Sequence, residues 1–572
     1  MELRGVPIPL PRFQLGPLSK DLFKVRGYKS LQTFFPTLAK LFRMAKSNLQ
    51  DEIWMDQKWR VQSIDCSGTA GACTVALSNN SDLSNAVVET RPAFLKVTHL
   101  LDPIQWIHGC YSLPKENGLP WHNKVWSKTS KTRQKLQDPG NQAYIETVAS
   151  YALGRLHEGG ISPHFNTFYG AFCAQADTYR YNLTDDFYSY RHERWFWRGY
   201  DQKLFAFHFA NQIQPGEPVP EEIIQDFLDR VYSEGSEASE SSEESEASEA
   251  SITNILENLS IEDVPEAASL KSADSMNDVG FAEGSDHEHS ESTGVDMDEY
   301  AIYADIQNYP VMLILTEMNK STMDSLFSDV GAAGAEPGTA EWDARWTAWI
   351  FQVLAALSCA QTILGFTHND LHTNNVVWSE TSEPYLYYRT KADNVFRIPT
   401  FGKIFKIIDF GRAIFTINSQ IFISDDFKDD NDAAGQYVFS PLVSKFKKEI
   451  LPNPSFDMCR LAVSLLDGLF PKRPEPLEGG GILSKEPGLI MKETVSPLYN
   501  ILWSWMIDDK GRSIFMNPDG SERFPDFDLY KHIAEHVHGA IPSRQFGKPI
   551  FDSFQISSKD IPEGAKVYSL FC

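Results

Sequence analysis

The sequence predicts an α+β protein with a strand-rich amino-terminal half, a long acidic insertion and a mainly helical carboxy-terminal half. Three observations predict it. Short apolar runs broken by small-residue turns recur between residues 61 and 98, apolar residues step by three and four through 346–364, and the excess negative charge falls in one tract. With 572 residues, 42% of them apolar and 12% aromatic, the chain has ample material for a large core, which excludes wholly disordered, collagen-like and fibrous classes.

Residues 1–60 read as an extension in which Leu38, Leu41, Phe42 and Ala45 fall near one helical face, and it is expected to pack on the main body. Val61–Leu77 reads as strand, small-residue turn, strand, and Pro92–Thr98 as a short apolar strand with Lys96 at its centre. Ala143–Leu153 has helical periodicity, with Ile145, Val148, Ala149 and Ala152 on the apolar face and Glu146 beside it. Val311–Leu315 is an apolar strand running into Thr316-Glu317-Met318-Asn319. Trp346, Ile350, Val353, Leu357, Ala360 and Leu364 predict a buried helix, and Gly365 its carboxy-terminal cap. Ile404–Ile408 reads as a strand leading directly into Asp409-Phe410-Gly411.

The formal net charge is −25, and Ser233–Tyr300 holds 20 acidic residues against the single base Lys271, so this tract carries −19 of it. Its Ser-Glu-Ala repeats contain too little apolar surface to offset the entropy of ordering, which predicts a disordered insertion over about 216–300. A solubilising loop and a docking or phosphorylation region both fit this composition; serines such as Ser241 and Ser242 precede acidic residues, as acid-directed kinases require. The remaining −6 and the lack of a basic stripe disfavour nucleic-acid binding.

Seven scattered cysteines without CxxC pairing predict a reducing, intracellular setting. The first thirty residues do not read as a secretory signal, and no apolar run approaches the ~18 to 20 residues that span a bilayer, so a soluble protein without a membrane partner is expected. His287 and His289 lie in the acidic tract, and no Cys/His spacing fits zinc.

The chemistry-bearing cluster is Thr367-His368-Asn369-Asp370-Leu371-His372-Thr373-Asn374-Asn375, placed on a loop after the buried helix. HxDxxxxN followed by a strand and Asp-Phe-Gly resembles the catalytic loop and metal-binding motif of the protein kinase superfamily. The resemblance implies a bilobal kinase-like fold with a small lobe over 61–319 and a large lobe over 320–572. It further implies transfer of the ATP γ-phosphoryl group, with Mg2+, to serine or threonine hydroxyls of protein substrates. Asp370 would accept the hydroxyl proton, Asn375 and Asp409 would hold magnesium, and Gly411 would give the turn after Asp409 its backbone freedom. Lys96, paired with Glu146, would hold the phosphates. Gly68, Thr69 and Gly71 would form the phosphate loop, although Cys66 stands where its first glycine belongs. Backbone groups of Glu317, Met318 and Asn319 would hold adenine, and Asp457 would brace the catalytic loop.

The wording HNDLHTNNVVW, PTFGKIFKIIDFGRAIF, ISPHFNTFYGAF and SFDMCRLAVSLL resembles the divergent Ser/Thr protein kinases of giant nucleocytoplasmic DNA viruses, over roughly 60–570 apart from the insertion. Three departures stand out. His372 occupies the place where such kinases usually have a phosphate-touching lysine; a histidine there resembles small-molecule kinases of the choline and aminoglycoside type, and also haspin, a protein kinase. Asn369 replaces the arginine that pairs with a phosphorylated activation segment, which argues against switching by that modification. No Ala-Pro-Glu follows Gly411; the acidic run Asp425–Asp430 fits an ordinary loop or a site for basic peptides. The alternatives are therefore a small-molecule kinase and a pseudokinase scaffold.

Overall fold

The computed structural model describes residues 24–44, 54–66, 71–79, 89–113, 130–214, 216–230, 299–429, 431–439 and 449–571, together with a few isolated positions. Gly68, Thr69 and the core of the acidic tract lie outside the described residues.

The fold is a mixed α+β arrangement. Its amino-terminal part is one antiparallel sheet built from β1 (Tyr28–Gln32), β2 (Trp59–Asp65), β3 (Ala72–Asn79), β4 (Glu89–His99), β5 (Phe168–Asn182), β6 (Ala206–Asn211) and β7 (Tyr300–Glu317). The strand order is β1-β5-β7-β4-β3-β2, with β6 paired to the first part of β7. Lys96 pairs with Ile314 across β4 and β7, in the middle of the sheet, which fixes its side chain on one face by the two-residue pleat.

Helix α1 (Pro36–Leu41) belongs to the extension and packs on the main body as expected, with Phe35 stacked on Tyr144 at 5.4 Å. Helix α2 (Lys131–Gln137) precedes α3 (Gln142–Glu158), whose start is capped by Asn141 accepting from the Ala143 N–H. Helix α3 is buried along nearly its whole length, including Glu146.

Helix α4 (Ala340–Leu364) begins at the Thr339 cap and ends at Gly365, whose φ of 56° is the left-handed conformation that glycine adopts at least cost. This helix alone among the described ones is long and apolar enough to cross a membrane, which corrects the expectation that no such run exists; most of its apolar stretch is buried in the protein. Its buried Gln352 bonds the Lys403 carbonyl and the Phe405 N–H, docking the helix on strand β9 (Lys403–Ile407). Strand β8 (Val376–Glu380) runs antiparallel to β9 with Val376 opposite Ile407. Short strands β10 (Phe415–Ile417) and β11 (Gln420–Phe422) form a hairpin, followed by helices α5 (Phe456–Leu469), α6 (Pro497–Trp505) and α7 (Asp528–His536).

Several expectations are corrected here. Structure continues past 216: Glu221–Leu228 is a helix with Phe227 buried, and Arg191 donates to the Asp226 and Asp229 carbonyls. The strand before Glu317 starts at Tyr300 rather than Val311, because pairing with β5 and β6 extends it. Cys66 and Cys73 form a disulfide, contrary to the scattered-thiol reading. The register Asp65 opposite Thr74 brings the next residue pair face to face, a proximity that sequence spacing does not display. The acidic run is not solvated throughout: Asp425 and Asp426 are buried, the first against Lys135 at 2.6 Å and the second beside Arg412, whereas Lys428 and Asp429 are exposed.

Candidate functional site

A cleft of about 400 Å³ opens between β4, α3 and the end of β7 on one side and β8 with residues 408–410 on the other. Phe94, Ile314, Met318, Val377 and Ile408 give it apolar walls, while Lys96, Glu146 and Asp409 form a charged end. Its size and mixed lining suit a small organic ligand.

Lys96 Nζ lies 2.6 Å from Glu146 Oε1 and 2.9 Å from Asp409 Oδ1. Thr98 Oγ1 donates to the other Glu146 oxygen at 3.4 Å. Burial raises the Glu146 carboxyl, and Lys96 opposes this only in part. Burial also acts to raise the Asp409 carboxyl, but there the Lys96 charge prevails and holds it below the ordinary value. The ammonium itself is stabilised by both carboxylates against its own desolvation. Lys96 is partly exposed to the cleft and shared by two carboxylates, which leaves the cluster with one excess negative charge, and ionisable groups gathered in a cleft in this way mark functional sites.

The loop carrying Asp370 is held from below. Asp457, at the start of α5 and fully buried, accepts the backbone N–H groups of His368 and Asn369 at 2.9–3.0 Å. Asp370 N–H donates to His368 Nδ1, which leaves Nε2 to donate to the Ile408 carbonyl at 2.8 Å. Asn369, with φ of 67°, binds the Arg412 carbonyl and accepts from the Tyr437 hydroxyl. Asn375 Nδ2 donates to the Asp370 carbonyl at 2.9 Å and lies 3.0 Å from His372 Nε2. Its backbone carbonyl accepts from Ile408 N–H at 3.0 Å, so the β8–β9 register sets Asn375 beside the residue preceding Asp409.

Asp370 Oδ1 accepts from the Tyr530 hydroxyl at 2.7 Å, and Arg412 stands 3.8 Å from Oδ2. Burial acts to raise this carboxyl, but Arg412, His372 and Arg460 hold it below the ordinary range. The buried Arg412 guanidinium also faces Asp426 and Asp432 at 4.0 and 3.9 Å. Burial, with Asp432 and Asp425 beside it, pushes the Asp426 carboxyl well up.

Phe410 packs edge-on to Phe366 and His368, and this inward anchoring turns Asp409 toward Lys96. The backbone strain falls on Asp409 itself, with φ of 64°, and not on Gly411. Gly411 is crowded instead: a Cβ there would lie 2.9 Å from the Gln142 amide nitrogen, so that side chain would have to shift. Gly71 does have the left-handed φ of 79°, and a Cβ on it would come within 2.8 Å of the Leu95 carbonyl.

The structure therefore brings Lys96, Glu146 and Asp409 together in the cleft, and links Asp370, His372 and Asn375 to one another outside its lining, joined to it through the Ile408 N–H bond to the Asn375 carbonyl. Met318 and Asn319 line the cleft, but Glu317 turns away: its carboxylate pairs with Lys406 and its N–H donates to the Thr167 carbonyl. Sequence reasoning missed Arg412 and Tyr530. Arg412 directly follows Asp-Phe-Gly and is a visible signal, whereas nothing local marks Tyr530.

Two side chains offer oxygens of the kind that magnesium takes. The Asp409 carboxylate is 45% exposed toward the cleft, and with Nδ2 of Asn375 committed to Asp370, its amide oxygen remains; such hard oxygens suit this ion. No protein-family model matches this chain, and no curated protein matches it either.

Proposed function

We propose that the chain is a phosphotransferase of the protein-kinase type, moving the γ-phosphoryl group of ATP to serine or threonine hydroxyls of protein substrates. The observation that carries this reading is the Lys96 ammonium set between Glu146 and Asp409 at the charged end of the cleft. In this reading residues 61–319 and 320–572 are two lobes that flank the nucleotide. Lys96, oriented by Glu146, binds phosphate oxygens, and Asp409 with Asn375 holds magnesium. Magnesium, when bound, neutralises charge on the phosphates. Asp370 orients the acceptor hydroxyl and takes its proton as the hydroxyl oxygen bonds to the γ-phosphorus and the bond to the bridging oxygen of ADP breaks. Arg412, His372 and Arg460 keep the Asp370 carboxyl ionised, so that it can accept a hydrogen bond from the acceptor hydroxyl and orient it.

His372 favours a second reading, a small-molecule kinase, because no lysine occupies that place to meet the transferred phosphate. Incubation with γ-labelled ATP and Mg2+ against acidic and basic proteins, choline-like amines and sugars separates the two. Phosphoserine or phosphothreonine is the expected product. Label confined to small molecules supports the second reading, and no transfer to any acceptor overturns both in favour of a scaffold.

A further inference from the structure

Tyr530 lies 160 residues beyond Asp370, on α7, yet its hydroxyl reaches the Asp370 carboxylate at 2.7 Å. The direction of that bond is set by a third group. Arg460 Nε stands 3.0 Å from the same hydroxyl, and a guanidinium can only donate. The phenol oxygen therefore accepts from Arg460, and its single proton is directed to Asp370.

Arg460 sits three residues after Asp457 on α5, so one buried helix braces the loop twice, through its backbone and through the side chain of Asp370. Helix α7 is itself fixed to the loop. The Asn453 amide donates to the Ile533 and Val537 carbonyls at its carboxy-terminal end, at 3.0 and 2.7 Å. The backbone N–H of Asn453 donates to the Tyr437 hydroxyl, which donates to Asn369, the neighbour of Asp370. Together with the chain of α7 and the Asn369–Asp370 peptide, these bonds form a closed circuit that includes the Tyr530 hydroxyl and the Asp370 carboxylate. A phenylalanine at 530 would keep the stacking on Phe527 and the contact with Phe456, so packing alone gives no reason for the hydroxyl.

We propose that Tyr530 is a positioning residue for phosphoryl transfer, holding Asp370 in one orientation from which it meets the acceptor hydroxyl. The inference rests on the kinase reading above. A carboxylate free to turn about its last side-chain bond spends less time in the reactive geometry, which slows the chemical step without altering nucleotide binding.

The test compares wild type, Tyr530→Phe and Asp370→Asn in steady-state transfer of labelled phosphate, with melting temperatures measured alongside. Tyr530→Phe is expected to lower kcat roughly tenfold, the loss of one hydrogen bond to a charged group, with KM for ATP unchanged within twofold. Unchanged kcat overturns the proposal. Raised kcat also overturns it, since it would make the phenol a plug on Asp370. A fall in kcat accompanied by a matching rise in KM and a large drop in melting temperature overturns it in favour of a structural role. Inactive wild type defeats the kinase reading and this inference together, whereas active wild type, impaired Asp370→Asn and wild-type-like Tyr530→Phe defeat the inference alone.

Discussion

Lys96 shows how a single side chain can define a site. Its position two residues from Phe94 on β4 puts both on the cleft face of the sheet, and the Ile314 pairing keeps it central. Replacing Glu146 by Gln removes the charged partner that orients it; KM for ATP is expected to rise about tenfold while the fold persists, as measured by nucleotide titration and thermal melting. These residues were legible because each motif carries its own punctuation: one charge in an apolar strand, or an Asp-Phe-Gly at a strand end. Other features were not. The left-handed φ at Asp409 and the crowding at Gly411 reverse the expected roles of the two residues, since the Gln142 side chain that crowds Gly411 comes from a distant helix.

Among elements, the β2–β3 hairpin and the buried acidic run matter most. The Cys66–Cys73 disulfide ties the ends of the segment that carries Gly68, Thr69 and Gly71. Reduction by a dithiol, or Cys73→Ser, removes the covalent tie between the end of β2 and the start of β3; KM for ATP should rise severalfold with kcat little changed, and identical kinetics in both redox states would count against this. Asp425 joins the region after β11 to the base of α3, accepting from Lys135 at 2.6 Å and the Gln142 N–H at 3.0 Å, while its own N–H donates to the Gly140 carbonyl. Asp425→Asn strands a partly buried lysine and should cost about 3 kcal/mol in a denaturant titration. Helix α4 was legible from periodicity and its terminal glycine. The buried state of Asp425 was not, because its cationic partner lies 290 residues away on α2.

At the scale of the molecule, the amino-terminal sheet meets the carboxy-terminal half through His164. This buried ring lies 2.8 Å from the Phe405 carbonyl through Nδ1 and 2.6 Å from the Tyr388 hydroxyl through Nε2, so it serves as a neutral donor and acceptor. Burial pushes its pKa down to about 3. An unfolded histidine takes up a proton near pH 6.5, and the folded one does not until far lower, so this group stabilises the fold above 6.5 and the contribution is lost as pH falls toward 3. Between pH 7 and pH 5 its share of the loss is about 2 kcal/mol, and His164→Phe should flatten the stability profile over that interval. A mixed α+β chain with strands in its amino-terminal half was readable from periodicity, while the contacts that tie this half to the carboxy-terminal one, from His164 to Phe405 and from Lys135 to Asp425, appear only once the chain is folded.

The whole account turns on Asp370 acting beside a nucleotide held by Lys96 and Asp409. Its most direct test is the rate of γ-phosphate transfer from Mg·ATP by wild type and by Asp370→Asn, which keeps the shape of the side chain but removes the proton acceptor. The account predicts transfer by wild type and a rate lower by a factor of roughly 100 to 10,000 in the variant; equal rates in the two proteins would contradict it.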